Sequence, residues 1–154
     1  MYGGVLLDLV VIMLILLLHI LGYDIWFYLS HILLHTNYLW KYHKIHHEII
    51  RPKFTDTYTG HFLEGPFQSI GFLLPLVFYR VDFIQACIAL ILVNIRGMMR
   101  HDDRTVWLIG NHHLLHHLYF NCNYGEYWLD TLFGTSIQNK IKHDIQIKKG
   151  LIYV

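Results

Sequence analysis

Charged side chains are scarce in this sequence of 154 residues: they make up 15%, against roughly 25% in soluble domains. Formal net charge is +1, and no basic stripe interleaved with aromatic residues occurs, so nucleic-acid binding has no support. The two cysteines, Cys87 and Cys122, are far apart and form no CxxC pair. They indicate neither a disulfide framework nor a cysteine zinc site.

Several catalytic and nucleotide motifs are also missing. No GxGxxG or Walker loop occurs, so no bound nucleotide is indicated. No GxSxG nucleophile elbow is present. The stretch from His47 to Arg51 begins like the zinc-protease motif HExxH but ends in arginine, which excludes that pattern.

Long apolar runs are abundant instead, and hydrophobic residues make up 55% of the chain. Only Asp8 and His19 interrupt the run from Val5 to Leu21, which approaches the roughly 20 residues needed to cross a bilayer. A signal peptide is the alternative. No basic residue precedes the run and no small-residue cleavage site follows it, so a retained span is favoured.

The apolar stretches predict an all-α fold in one domain, residues 1–154. We expect a membrane-anchored bundle of two helical hairpins with a cytosolic, histidine-rich helical cap. Gly22-Tyr23-Asp24 is interpreted as a tight turn, and Pro75 is expected to kink its helix. The second hairpin has arms short enough to dip into the bilayer rather than cross it. The predicted transmembrane or membrane-dipping helices cover about 5–22, 24–38, 66–80 and 83–99.

The basic residues predict an orientation in the membrane. Of the 12 lysines and arginines, only Arg80 falls at a predicted hairpin tip. The others lie on the opposite side or at its edge, together with the clustered histidines. By the positive-inside tendency, that side is cytoplasmic.

Histidine is over-represented, with 13 residues, eight of which form three motifs. Residues at i, i+3 and i+4 of a helix share a face, so each motif can present its imidazoles together. Imidazole suits iron, zinc, copper and nickel, and eight ligands exceed the need of one ion, so two metals are predicted. His19 and His143 are interpreted as ordinary polar histidines. The motifs are His31-Ile-Leu-Leu-His35, His43-Lys-Ile-His46-His47 and His113-Leu-Leu-His116-His117.

With these motifs the sequence resembles the fatty acid hydroxylase and sterol desaturase superfamily, whose boxes HxxxH, HxxHH and HxxHH occur in the same order. The resemblance covers about residues 5–137 and includes the flanking residues. Tyr28–His47 resembles the first two boxes and their linker, and His61–Glu64 resembles an HPxE element in which Phe62 takes the place of the proline. His101–Arg104 resembles an H-[S/D]-N-x-R region. Asn123–Gly125 and Asp130–Thr135 together resemble an NYG…WDxxFGT tail.

The resemblance implies a cytoplasm-facing di-iron centre on a four-helix membrane anchor. Such enzymes use O₂ to hydroxylate or desaturate a lipid, and their electrons come from a separate reductase or cytochrome b5-type carrier. Zinc is able to occupy such a site in preparations. The implied ligands are His31, His35, His43, His46, His47, His101, His113, His116 and His117. Candidates for an extra ligand or a hydrogen-bond partner of a ligand are His61, His112, Glu48, Glu64, Asp102, Asp103 and Asp130.

Two departures leave alternatives open. Gly97 stands where members with a fuller ligand set have a histidine, and His61, His112 or water would have to replace it. The chain is also short for such an enzyme. A non-catalytic or degenerate membrane protein with structural zinc, and a membrane metal carrier, are therefore the competing interpretations. The substrate stays open among sterols, acyl chains and related lipids. In a eukaryotic host the endoplasmic reticulum is expected.

The tail motifs are interpreted as structural. A turn at Gly125 and a close backbone approach at Gly134 are the expected roles of the two glycines.

Overall fold

The computed structural model describes residues 2–142, with side chains from residue 8 onward, and shows helices without any strand in that range. The all-α prediction is confirmed. Residues 143–154 of the predicted domain, His143 among them, lie outside the described residues. The α-helices include α1 Tyr2–Leu34, α2 Trp40–His47, α3 Glu64–Ser69, α4 Pro75–Phe78, α5 Phe83–Arg100, α6 Val106–Ile109, α7 His112–Tyr119 and α8 Tyr127–Leu132, and 3-10 turns cover Phe54–Tyr58, Ile70–Leu73 and Asp103–Thr105. Residues 137–142 are also helical.

The first predicted hairpin is wrong, because α1 continues through the expected turn as one helix of 33 residues. Gly22 lies where α1 meets the 3-10 turn that contains Gly71. A Cβ atom on Gly22 would lie 2.5 Å from the Gly71 carbonyl oxygen. The glycine therefore permits a close approach between two segments, and the helix does not need to turn there.

Asp24, the polar residue of that expected turn, is instead buried in a network of ion pairs. Its carboxylate binds Arg96 on α5 and lies 3.7 Å from the Arg100 guanidinium, which also binds Glu126 next to α8. Asp24 is 4% exposed. The network thus joins α1, α5 and the start of α8 through two buried charges, Asp24 and Arg100, and two partly exposed ones, Arg96 and Glu126.

Replacing Asp24 by asparagine is expected to destabilise the fold by about 3 kcal/mol, because it leaves two arginines short of a buried counter-charge. Denaturant or thermal unfolding in detergent micelles measures the change. Asp103→Asn is the matched control, since Asp103 is exposed, and its expected change is within about 0.5 kcal/mol. Equal unfolding midpoints for Asp24→Asn and the parent protein would contradict the structural role of the network.

The predicted helix over 66–80 is also wrong as a single element. The region contains α3, a 3-10 turn and α4, of six, four and four residues. Pro75 begins α4 rather than kinking a longer helix, because the first helical position needs no backbone N–H. By contrast, α5 agrees with the predicted 83–99, and the Asp82 carboxylate caps it by accepting from the Ile84 N–H at 2.8 Å.

Within the part of the chain that the structure describes, two helices are long and apolar enough to cross a membrane: Asp8–Leu34 within α1, and α5. Between them lies a small core of Phe72, Ala89 and Val93. Buried His19 belongs to this region, and its Nδ1 lies 2.7 Å from the Phe72 carbonyl. Exposed apolar surface on this scale indicates contact with lipid or a partner. The exposed side chains include Leu9, Val10, Met13, Leu14, Leu17 and Leu18 on α1, and Ile84, Ile88, Leu90, Ile91, Leu92 and Ile95 on α5.

Candidate metal centre

Nine histidine side chains meet at the C-terminal ends of α1 and α5, in two adjacent groups. Within each group, one nitrogen from every imidazole lies within 4.8 Å of the others. All nine rings are buried except that of His35, which is partly exposed. We define the five-histidine set as His31, His35, His43, His47 and His116, and the four-histidine set as His46, His101, His113 and His117.

Helix geometry distributes the two HxxHH motifs over both sets. At 100° per residue, the first and last histidines of the motif point about 40° apart, and the middle one is rotated by about 100° from the last. In α2 the first and last histidines join the five-histidine set, while His46 joins the other. In α7 the opposite holds: the first and last histidines join the four-histidine set, and the middle one, His116, joins the five-histidine set. The two short helices therefore bridge the sets and hold them side by side.

The Nδ1 atoms of most of these imidazoles face groups that only accept hydrogen bonds. His31 contacts the Tyr124 carbonyl at 2.5 Å, His46 the Thr59 carbonyl at 2.8 Å and His116 the Cys122 carbonyl at 2.6 Å. Similar Nδ1 contacts join His117 to Ile49, His101 to Gly97, and His43 to the Glu64 carboxylate. A neutral imidazole carries one N–H, so Nδ1 donates and Nε2 presents a lone pair.

Those Nε2 atoms face one another at short range. The separations are 2.9 Å between His31 and His43, and 3.1 Å between His46 and His101. Opposed lone pairs at this distance repel unless a cation lies between them. Within the described residues, buried His117 Nε2 also has no hydrogen-bond partner. Both sets thus have the donor chemistry of a transition-metal site.

Burial keeps these imidazoles in the neutral form that binds metal. Loss of solvation, followed by repulsion from neighbouring histidines, lowers the pKa of His35 to about 4, that of His101 to about 3 and that of His47 to about 2. Burial likewise lowers the pKa values of His113 and His116. Near neutral pH no proton therefore competes with a metal ion for these nitrogens.

Among the acidic candidates in the described residues, Glu64 is the one that contacts either set. Its Oε1 accepts from His43 Nδ1 at 2.8 Å. Burial raises the pKa of Glu64 to about 8 and lowers that of His43, so burial favours the neutral form of both partners. Through this contact Glu64 orients one member of the five-histidine set.

Removing the acceptor at Glu64 is expected to weaken metal binding about 10- to 100-fold in the Glu64→Leu variant, as for other partners of metal-bound histidines. Glu64→Gln keeps an oxygen that accepts from the His43 N–H, so this variant should lose less metal affinity than Glu64→Leu. Chelator competition on the purified protein measures both affinities. Glu48→Leu is the control, because Glu48 is exposed at the end of α2. Equal affinity in all three variants would remove Glu64 from the site.

Asp130 contacts no histidine of either set and instead holds the loop that follows α7. Its buried carboxylate accepts from the backbone N–H groups of Tyr124 and Gly125, at 2.8 Å each, and from His112 Nε2 at 3.0 Å. These bonds hold the loop whose Tyr124 carbonyl meets His31. Asp130 therefore positions the backbone partner of a histidine that it does not touch.

The two glycines of this tail have roles opposite to those expected. Gly134 has a φ of 75°, so it is the residue that requires left-handed backbone, at the end of α8. A Cβ atom on Gly125 would lie 2.9 Å from the Tyr28 Cβ, so it is Gly125 that makes the close approach to α1.

The remaining candidates lie outside both sets. His61 packs against Tyr42, and His112 binds Asp130, so neither replaces the histidine that the resemblance places at Gly97. Asp102 binds the Arg104 guanidinium at 2.7 Å, which lowers the pKa of Asp102. Glu48 and Asp103 are exposed. Asp102 therefore stabilises the turn after α5 rather than a metal ligand.

Most of the groups that orient the imidazoles could not be found from the sequence, because they are backbone carbonyls, which every residue has. Besides Glu64, one side chain among the described residues takes part: the Thr57 hydroxyl lies 2.5 Å from His101 Nδ1 and donates to the Gly97 carbonyl at 3.0 Å. Thr57 belongs to no histidine motif, so no spacing argument indicates it.

The sequence matches the model of the fatty acid hydroxylase family over residues 16–135. The chain belongs to this family. Delta(7)-sterol 5(6)-desaturase ERG3B of Gibberella zeae is 33% identical over 135 residues, which cover 77% of this chain and 40% of that protein. Methylsterol monooxygenase 1 of Rattus norvegicus is 30% identical over 128 residues, covering 75% of this chain and 44% of the rat protein.

A third relative, Delta(7)-sterol 5(6)-desaturase erg3C of Aspergillus fumigatus, is 33% identical over 143 residues, covering 73% of this chain and 45% of that protein. The chain therefore spans less than half the length of these curated relatives. No solved structure matches it significantly. The relatives are oxidoreductases, and together with the two apolar helices they indicate a membrane protein.

Proposed function

We propose that this protein is a di-iron, O₂-dependent oxidoreductase that hydroxylates or desaturates a C–H bond of a lipid. The observation that carries the proposal is the pair of adjacent all-histidine sets, bridged by α2 and α7, in a chain of the fatty acid hydroxylase family. The sterol enzymes among its relatives favour a sterol or a related lipid as the substrate.

One iron ion would be held by each set, with the nine histidines as ligands. Imidazole also suits zinc, so zinc in a preparation does not argue against iron. The iron pair, when bound, supplies the activation of O₂. Hydroxylation consumes O₂, two electrons and two protons, and yields the alcohol and one water. Desaturation uses the same inputs, removes two hydrogens from adjacent carbons, and yields the double bond and two waters.

The protein's own residues position and shield this chemistry. Acceptors on Nδ1 orient the imidazoles, and the rings of His43, His116 and His117 are 0% exposed, which excludes bulk water. The electrons come from a separate donor, of the cytochrome b5 type or a reductase, in keeping with the absence of a nucleotide motif in the sequence.

The membrane arrangement follows from helix length and charge. The span Asp8–Leu34 has 27 residues and is about 40 Å long, against about 30 Å for a bilayer core. Its C-terminal turns, with His31, then reach the polar boundary. By the positive-inside tendency, the excess of lysine and arginine around the histidines favours the cytoplasmic side for that boundary. In a eukaryotic host this membrane would be the endoplasmic reticulum.

Lipid profiling of a host that expresses the chain tests the function. We expect a hydroxylated or newly unsaturated lipid with the parent protein and with His61→Ala, and no such lipid with His46→Ala or without oxygen. An identical lipid profile for the parent protein and His46→Ala, with an electron donor present, would refute the proposal.

A non-catalytic protein with structural zinc is the second candidate. Gly97 and the four-member set favour it, because one set has fewer ligands than the other. The two candidates differ in one observable: stable metal content without any oxygen-dependent product supports the structural site.

A further inference from the structure

Two adjoining cavities lead away from the histidine sets between α1, α5 and the segments around α3. The inner cavity, of about 60 Å³, is lined by His31, His46, His101 and His113 together with Phe27 and Arg100. The outer cavity, of about 100 Å³, extends to Leu90 and Asn94 of α5 and to Tyr58. Tyr23, Thr57, Gln68 and Gly97 line both cavities, so the two adjoin at these residues.

Gly97 lies at the junction, and its missing side chain keeps the junction open. A Cβ atom there would meet only Thr57 Cγ2, at 3.9 Å, within the ordinary range of van der Waals contact. Alanine therefore fits without any shift of its neighbours, whereas a larger side chain would extend into the space that joins the two cavities. The size of the side chain at position 97 therefore determines how wide the junction between the two cavities is.

The outer end of this route opens along a helix that is apolar enough to span a membrane. Leu90, Asn94 and Gly97 occur at i, i+4 and i+7 of α5 and so share one face. At 1.5 Å per residue, Leu90 lies about 10 Å from Gly97 along the helix axis. Leu90 is 45% exposed and Tyr58 is 63% exposed. The opening therefore lies well inside the apolar length of α5, next to lipid.

The walls suit part of a lipid with a polar group near its outer end. Phe27, Phe72 and Val93 supply apolar contacts, while the Tyr58 hydroxyl donates to Asn94 Oδ1 at 3.1 Å at the opening. Both cavities are far below the roughly 300 Å³ at which pockets begin to enclose whole ligands. The route therefore admits the reacting portion of a lipid and leaves the remainder in the bilayer.

We propose that Gly97 keeps open a lateral passage through which the reacting segment of a membrane lipid reaches the four-histidine set. This inference rests on the proposed lipid oxidation. A competing apolar groove of about 500 Å³ is lined by Leu34, Leu39, Leu63, Phe67 and Ile70, with Glu64 also in its wall. No histidine of either set lines that groove, whose nearest link to them is the contact of Glu64 with His43 Nδ1. The passage at Gly97 opens onto the histidines themselves.

Substitutions at Gly97 test the passage, with metal content measured alongside product. Gly97→Ala should retain product within about threefold, and Gly97→Phe should reduce it at least about 100-fold, because displacement of a reacting carbon by about 1 Å already has effects of that size. Metal content should equal that of the parent protein in both. Leu63→Trp, which fills the competing groove, should leave product unchanged.

A second readout is independent of turnover. Fatty acid and sterol probes that carry a diazirine are photolysed with the metal-loaded protein in bilayers, and the labelled peptides are mapped. We expect labelling of the peptides with Leu90, Asn94 and Tyr58, and its loss in Leu90→Trp, which changes an exposed residue remote from the histidines. The probe that labels there, acyl or sterol, identifies the class of lipid.

The outcomes separate the two proposals. Full product from Gly97→Phe, or unchanged labelling in Leu90→Trp, overturns the passage. Loss of product in Leu63→Trp alone assigns entry to the competing groove. If the parent protein yields no oxidised lipid while the labelling and its loss occur as expected, the oxidation fails and the lipid passage stands.

Discussion

Replacing His116 or His46 by alanine is expected to lower the metal content of the purified protein from about two ions per chain to about one. Each variant removes a ligand from a different set, so each should empty one position and spare the other. Product formation should fall more than about 100-fold in both variants, because losing a metal ligand should cost more than losing a hydrogen-bond partner of a ligand, which costs up to about 100-fold. Elemental analysis of protein loaded with iron under anaerobic conditions measures the stoichiometry.

His61→Ala is the matched control for these variants. It also removes an imidazole close to α2, but His61 belongs to neither set and packs against Tyr42. Metal content and product should stay at the level of the parent protein. Two ions retained in both His46→Ala and His116→Ala would show that the histidine sets are not the metal sites, whatever the activity.

Removing the metal is expected to release α2 and α7 while α5 stays intact. Each of the two helices has eight residues, and isolated helices shorter than about 12 residues are marginal in water. Their buried side chains are histidines alone. Without a cation the facing Nε2 lone pairs repel, so the free energy of metal binding is also the free energy that holds these helices in place.

Hydrogen–deuterium exchange measures this effect. Amide exchange in α2 and α7 should accelerate by about tenfold or more after chelation and return to its initial rate when iron or zinc is added back. The 18-residue α5 serves as the internal reference, because its packing against α1 contains no metal ligand. Exchange in α2 and α7 that is indifferent to metal would mean that the histidines are held by packing alone.

The spacing of the histidines carried most of the information about the site. HxxxH and two HxxHH motifs place imidazoles on common helix faces, and the structure brings all eight of these histidines together. The ninth, His101, follows from the resemblance alone, since it belongs to no local repeat. Which imidazole joins which set depends on how α2 and α7 lie against each other, and spacing within one helix does not determine that.

The predicted turns failed where tertiary contacts decide the backbone. Gly22-Tyr23-Asp24 has the composition of a turn, yet Gly22 packs against Gly71, and Asp24 binds arginines 72 and more residues away in the chain. Gly125 and Gly134 were assigned each other's roles for the same reason. A glycine permits both a left-handed backbone and a close approach, and only its neighbours in space select between them.

By itself, the sequence determined the helical class, the family and the collection of imidazoles, because periodicity and spacing are local properties of the chain. The tertiary structure decided the single long α1, the buried ion pairs, the division into five and four histidines, the carbonyls that orient them and the opening at Gly97. Each of these depends on residues far apart in the chain that come into contact only after folding.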